Sequence, residues 1–306
     1  MLTQSLMPVF ALILTGLALR RLDFPSAAFW PGAEKLMYYV LFPALLVLKL
    51  TYASTAGLDL PRIGLVLLGG FGLASVILLV LQRLFRWSGP VFTSVYQGGI
   101  RFNSYVLLAT VAALHGDAGI ATAAVIMALM IPLINVLCIL VFARHGSGSV
   151  AGLRGTLRAV ITNPLILSCV AGLALNLSGI RFHPVLKDSL GFLGDMALPL
   201  GLLCVGAGME LRALREAGSA LVVSSAFKLL AMPWLLAGAA ALAGLPPLSI
   251  QVLALFGAMP TATASYILAR QLGGHAGLMA GLISAQTLLA MLSLPVVLSA
   301  VHRVLL

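Results

Sequence analysis

The sequence predicts an all-α membrane protein of ten transmembrane helices, arranged as two inverted five-helix repeats in which helices 4 and 9 are broken. Three observations carry that expectation. Hydrophobic residues make up 61% of the 306 and charged residues only 8%, against about 25% charged in soluble domains. Apolar runs of about 20 residues, long enough to cross a bilayer, recur throughout. The chain also repeats itself. Pro8, Gly16-Leu17-Ala18-Leu19 and Pro43 return 156 positions later as Pro164, Gly172-Leu173-Ala174-Leu175 and Pro199. Leu114, Gly116 and Ala118-Gly119 return at an offset of 158 as Leu272, Gly274 and Ala276-Gly277. A five-span unit must enter the membrane from opposite sides in its two copies, which puts the working site at the midplane between the halves. Finally, a polar, helix-breaking patch falls in the same span of each copy.

The elements follow in order. Helix 1 is expected over 4–20; no positive n-region or cleavage site accompanies it, so it reads as a retained span and not a signal peptide. Helices 2 and 3 are expected over 33–51 and 62–84, with Trp30, Tyr52 and Trp87 near their ends as an aromatic belt. Helix 4, over 90–114, holds Gly98-Gly99-Ile100-Arg101-Phe102-Asn103-Ser104-Tyr105, and helix 5, over 118–143, is kinked and polarised by Pro132 and Asn135. The Gly- and Ser-rich stretch from Arg144 to Arg158 is a linker, centred on 147–156 between a first repeat at 1–146 and a second at 157–306. Helices 6 to 8 are expected over 157–179, 186–209 (with Asp195) and 217–243 (with Lys228). Helix 9, over 249–271, holds Gly257-Ala258-Met259-Pro260-Thr261-Ala262-Thr263-Ala264-Ser265, and helix 10, over 277–302, carries Gln286.

Loop charge sets the orientation. Arg20, Arg21, Lys35, Arg83, Arg86, Arg144, Arg154, Arg158, Arg212 and Arg215 fall on odd-numbered connections; only Arg62, Arg181 and Lys187 fall on the others. The positive side is cytoplasmic, so both termini face outward from a cell (inner) membrane. The net charge of +10 is scattered singly, without basic runs or interleaved aromatics, and does not read as nucleic-acid binding. Cys138, Cys169 and Cys204 lie in apolar runs and read as packed hydrophobes. No metal spacing, Ser/His/Asp arrangement, Gly-rich phosphate loop or carboxylate pair is visible, so no cofactor and no enzyme chemistry is expected.

The two patches are where chemistry concentrates. At the 158 offset Gly99 falls on Gly257, Phe102 on Pro260 and Asn103 on Thr261. Proline removes a backbone donor and clashes with the preceding turn. Irregular backbone at membrane depth persists only where protein or a water-filled cavity satisfies it. Each broken span yields a half-helix N-terminus whose free N–H groups favour an anion. Arg101 adds a full charge suited to a carboxylate, and Asn103, Ser104, Thr261, Thr263 and Ser265 add uncharged donors and acceptors. Ser or Thr bonding to a backbone carbonyl would explain either patch alone; two in register weigh toward a site. Intramembrane ionisable groups are costly and usually functional. Lys228 is thus a candidate proton-coupling group or counter-charge, with Asp195, Asn135 and Gln286 as further cavity or coupling candidates. Lys49 and Arg270 lie near span ends, within reach of the interface by snorkelling.

Gly99-Ile-Arg-Phe-Asn103-Ser-Tyr resembles the equivalent stretch of the auxin efflux carrier family. So do Met130-Ile-Pro-Leu-Ile-Asn135-Val, Asn163-Pro164, Asp195-Met-Ala-Leu-Pro199-Leu, Lys228-Leu-Leu-Ala-Met-Pro233 and Met259-Pro260-Thr-Ala. The resemblance covers essentially the whole chain. It implies crossed, broken helices 4 and 9, an elevator-like cycle, a transport domain of helices 3–5 and 8–10, and a scaffold of helices 1, 2, 6 and 7 that dimerises in relatives. It is more distant to sodium-coupled bile-acid transporters. The family's first-crossover asparagine carries over to Asn103 and its second-crossover proline to Pro260. Phe102 stands where plant members have proline, which implies a less sharply broken first crossover and gives no reason to assume an auxin-like substrate. The function expected is secondary transport of a small organic anion, a mono- or dicarboxylate bound by Arg101, Asn103 and Thr261, with a proton or sodium as coupling ion. A sodium symporter of the bile-acid type and a passive channel are the alternatives, the first opposed by crossovers that contain no Asp or Glu.

Overall fold

The computed structural model describes residues 2–53, 59–147, 158, 161–216 and 218–305. Of the expected linker, 144–147 and Arg158 are described and 148–157, Arg154 among them, lie outside the described residues. The described regular structure is helical: α1 (Leu2–Arg21), α2 (Phe29–Leu36), α3 (Phe42–Thr51), α4 (Leu60–Phe85), α5 (Gly89–Ile100), α6 (Ser104–His145), α7 (Pro164–Ser178), α8 (Pro184–Ala207), α9 (Ser219–Ala226), α10 (Met232–Leu242), α11 (Pro247–Ala258), α12 (Ala264–Leu272) and α13 (Ala276–Leu305). Among the described residues, five helical stretches are long and apolar enough to cross a membrane: Leu60–Phe85, Gly89–His145, Pro184–Ala207, Ser219–Leu242 and Ala276–Leu305. Pro164–Ser178 and Pro247–Ala258 are shorter apolar helices.

Local chemistry sets most boundaries. The Asp59 carboxylate accepts from the Arg62 N–H at 3.0 Å and opens α4, with Pro61 in its first turn. Position 157, where the sixth helix is expected to start, lies outside the described residues; Arg158 and Ile161 are helical, Thr162 N–H donates to the Arg158 carbonyl at 2.9 Å, and a new helix opens at Pro164. Asn163 is held extended before the proline, and its Oδ1 accepts from the Leu165 and Ile166 N–H groups at 2.9 and 3.3 Å. Gly116, at φ 57°, interrupts α6 between the fourth and fifth expected spans. One device recurs: α2 joins α3, and α9 joins α10, through π-helical turns at Met37–Leu41 and Phe227–Ala231. Each turn ends two residues before a proline, Pro43 or Pro233. Widening the turn accommodates the proline ring and its missing donor without ending the helix.

The described residues group into two compact units. The first takes those within 1–58, 108–131 and 157–208. There, Gly16 of α1 meets the Leu203 backbone of α8, and Gly206 meets that of Ile13, too closely for a Cβ on either glycine. Small residues permit such helix approach. Gly172 of α7 meets α3 at Val47 and Leu50, where an added Cβ would lie 2.8 Å from the Leu50 Cβ. The pairs Gly16–Leu203 and Val47–Gly172 are related by the 156-residue offset, with the roles of the two halves exchanged. Asn176 Nδ2 closes the end of α3 by donating to the Leu50, Thr51 and Ala53 carbonyls at 2.9–3.0 Å. Lys49 pairs with Asp117 at 2.7 Å. The start of α2 packs Trp30 against Ala33, Cys204 and Ala207, leaving it buried.

The second unit takes the described residues within 59–107, 132–156 and 209–306. Its centre is unusually tight: a Cβ on Gly257 would lie 2.5 Å from the Pro233 backbone, and one on Gly98 would lie 2.5 Å from Ser224 Oγ. These approaches bring α11 onto the start of α10 and α5 onto α9.

Candidate functional site

Within the second unit, two helices stop in the interior. The α5 helix closes with the Arg101 N–H on the Gln97 carbonyl at 2.9 Å; the backbone then runs extended, with ψ 157° at Arg101 and 107° at Asn103, before α6 starts. The α11 helix closes with the Met259 N–H on the Leu255 carbonyl at 3.0 Å, and residues 259–263 are irregular before α12. The interruptions bond to one another, Asn103 N–H donating to the Pro260 carbonyl at 2.8 Å. The first break is complete, which corrects the expectation drawn from Phe102. No proline is needed, because Asn103 Oδ1 accepts from the Tyr105 and Val106 N–H groups at 3.0 and 3.2 Å and caps α6. Phe102 is buried edge-to-face on Phe256, ring centres 4.8 Å apart.

Stopping a helix leaves carbonyls without partners. Pro260 has no N–H, so the carbonyl four residues back, Phe256, loses the donor a continuous helix would supply. Lys228 Nζ donates to it at 3.0 Å. The carbonyl 158 positions earlier, Gly98, accepts from Gln286 Nε2 at 3.1 Å, while Gln286 Oε1 accepts from the Thr261 N–H at 2.9 Å. One buried amide thus ties both interruptions together. The Thr261 hydroxyl donates to the Gln97 carbonyl at 3.3 Å and lies 3.5 Å from Ser265 Oγ.

Charge and unmet bonding capacity sit beside this knot. The half-buried Arg101 donates to Asn135 Oδ1 at 3.1 Å and lies beside the Cys138 thiol. Its Nε is buried with no partner among the described residues; so are Asn103 Nδ2 and the side-chain Oε1 and Nε2 of Gln97. None of the described ion pairs includes Arg101. Buried polar groups are normally bonded, whereas these three donors and one acceptor have no partner among the described residues.

Of the expected residues, the second unit contains Arg101, Asn103, Ser104, Asn135, Lys228, Pro260, Thr261, Thr263, Ser265 and Gln286. Pro260, Thr261, Ser265, Gln286 and Lys228 are buried, whereas Ser104 and Thr263 are half-buried. Asp195 belongs to the first unit, on the exposed face of α8. Gln97 was not among the expected residues. An amide in the last turn of an uncharged helix, one turn before Arg101, was the available signal.

Asn103 divides its labour, and substitution should separate the parts. Asn103→Ser keeps a capping oxygen and should hold stability near wild type, whereas Asn103→Ala should lose about 1 kcal/mol. Thermal unfolding of the two purified variants checks this; equal midpoints would dismiss the cap.

A family model described as Membrane transport protein matches residues 1–298 of the chain. No curated protein matches it.

Proposed function

Given that the chain belongs to the Membrane transport protein family, the auxin efflux carrier-like transporters, we propose that it is an elevator-type secondary active transporter of a small organic anion, a mono- or dicarboxylate. The observation that carries this reading is the Arg101 guanidinium, which has a buried unpartnered Nε and no described ion pair, in the same interruption as the unpartnered Asn103 Nδ2 and one turn after the unpartnered Gln97 side-chain amide. A full positive charge at a double helix break is costly to maintain and suits a transported anion.

Ten spans in two inverted repeats, with crossed fourth and ninth helices, are the architecture in which such a site works. The exchanged pairs Gly16–Leu203 and Val47–Gly172 support that plan, as does the bond between the two breaks. In this reading spans 3–5 and 8–10 carry the anion, spans 1, 2, 6 and 7 form a dimerising scaffold, and both termini face outward from the inner membrane.

A thermal-shift screen of the purified full chain against mono- and dicarboxylates tests the assignment. A bound anion raises the unfolding midpoint with its occupancy of the folded state. At least one carboxylate should do so saturably, and its effect should vanish in Arg101→Ala. A screen in which neutral analogues shift the midpoint as much as their carboxylates would refute anion selectivity.

A further inference from the structure

We infer that Lys228 is a resident cation: its ammonium takes the place, at the C-terminal end of α11, where orphaned carbonyls would otherwise hold an inorganic cation. The carrier then meets its anion without recruiting sodium. This deepens the anion-carrier reading and rests on it.

The Phe256 carbonyl lost its helical donor to Pro260, and any donor would satisfy it. Its counterpart, the Gly98 carbonyl, is satisfied by the neutral Gln286 amide. A charge is therefore more than this hydrogen bond requires. It is also expensive: removing an ammonium from water costs several kcal/mol even after relaxation. Lys228 is only 1% exposed, and none of the described ion pairs includes it. Its one described hydrogen bond is to the Phe256 carbonyl. Among the described residues no carboxylate pairs with it.

The end of a half-helix explains the burial. The last carbonyls of α11 carry the negative pole of that helix, and half-helix C-termini with unwound carbonyls are what transporters use to coordinate sodium. Hard cations take oxygen ligands, and a lysine ammonium is a compact point charge with three donors. On a flexible stem from the π-turn Phe227–Ala231, it reaches the site a free ion would enter. Covalent attachment keeps the lysine at the Phe256 carbonyl whether or not sodium is present.

The test uses the purified full chain without organic anion, so its failure is separate from failure of the carboxylate screen. Unfolding midpoints are compared in sodium, methylammonium and choline chloride at equal ionic strength. The wild type should unfold at the same temperature in all three. Lys228→Ala should unfold lower in choline and be raised saturably by sodium or methylammonium, which refill the vacated place. Lys228→Gln keeps a donor for Phe256 and removes the charge, so it serves if the alanine chain does not fold; its midpoint should become sodium-dependent. A sodium-dependent wild type overturns the inference. So does either variant whose midpoint is the same in sodium, methylammonium and choline.

Discussion

Gln286→Leu should destabilise the protein by about 2–6 kcal/mol, because one side chain satisfies two buried backbone groups that each cost about 1–3 kcal/mol when orphaned. The groups are the Gly98 carbonyl and the Thr261 N–H. Leucine fills a similar volume, so lost packing contributes little, and water has no ready access to a residue that is 0% exposed. Gln286→Glu discriminates further: it keeps an acceptor for Thr261 and, when ionised, withdraws the donor from Gly98. Thermal unfolding in detergent should rank wild type above both variants. A leucine variant that unfolds with the wild type would show that the two interruptions hold without this amide.

Arg101→Ala should abolish saturable carboxylate uptake and counterflow while leaving the fold intact. A charge-assisted hydrogen bond contributes about 1.5–3 kcal/mol, and each 1.4 kcal/mol is a factor of ten, so anion affinity should fall by roughly 10- to 100-fold. The half-buried guanidinium has two described side-chain partners, Asn135 at 3.1 Å and the Cys138 thiol, so its removal leaves no charged group unpaired. Arg101→Lys tests geometry against charge. An ammonium retains the positive charge but not the planar fork, and intermediate counterflow would point to paired hydrogen bonds to the anion. Unchanged counterflow kinetics in Arg101→Ala would remove the residue from the site.

Both interruptions were legible in the sequence, since Gly98-Gly99 and Pro260 disturb a helix through their own backbones. Their depth was not. Phe102 in place of a proline suggested a gentler first break, and its completeness depends on Asn103 bonding forward to α6 and across to Pro260. Expected span six is divided by Asn163-Pro164: Arg158 and Ile161 are helical, and the asparagine cap and proline open a new helix after them. Gln97 escaped notice because its backbone carbonyl and its unpartnered side chain acquire meaning only beside Thr261 and Asn103. Asp195 drew attention as a carboxylate in an apolar run; the structure turns it to the exposed face of α8.

What the residues determined by themselves is what short-range physics decides. That comprises apolar lengths that demand a membrane, prolines and glycines that interrupt or narrow helices, and a periodic offset that pairs Gly16 with Gly172. Only the tertiary structure decided which distant side chain answers each orphaned carbonyl: Lys228 for Phe256, 28 residues away, and Gln286 for Gly98, 188 away. A broken helix announces locally that a partner is missing, but the partner is chosen by how other helices pack across the break.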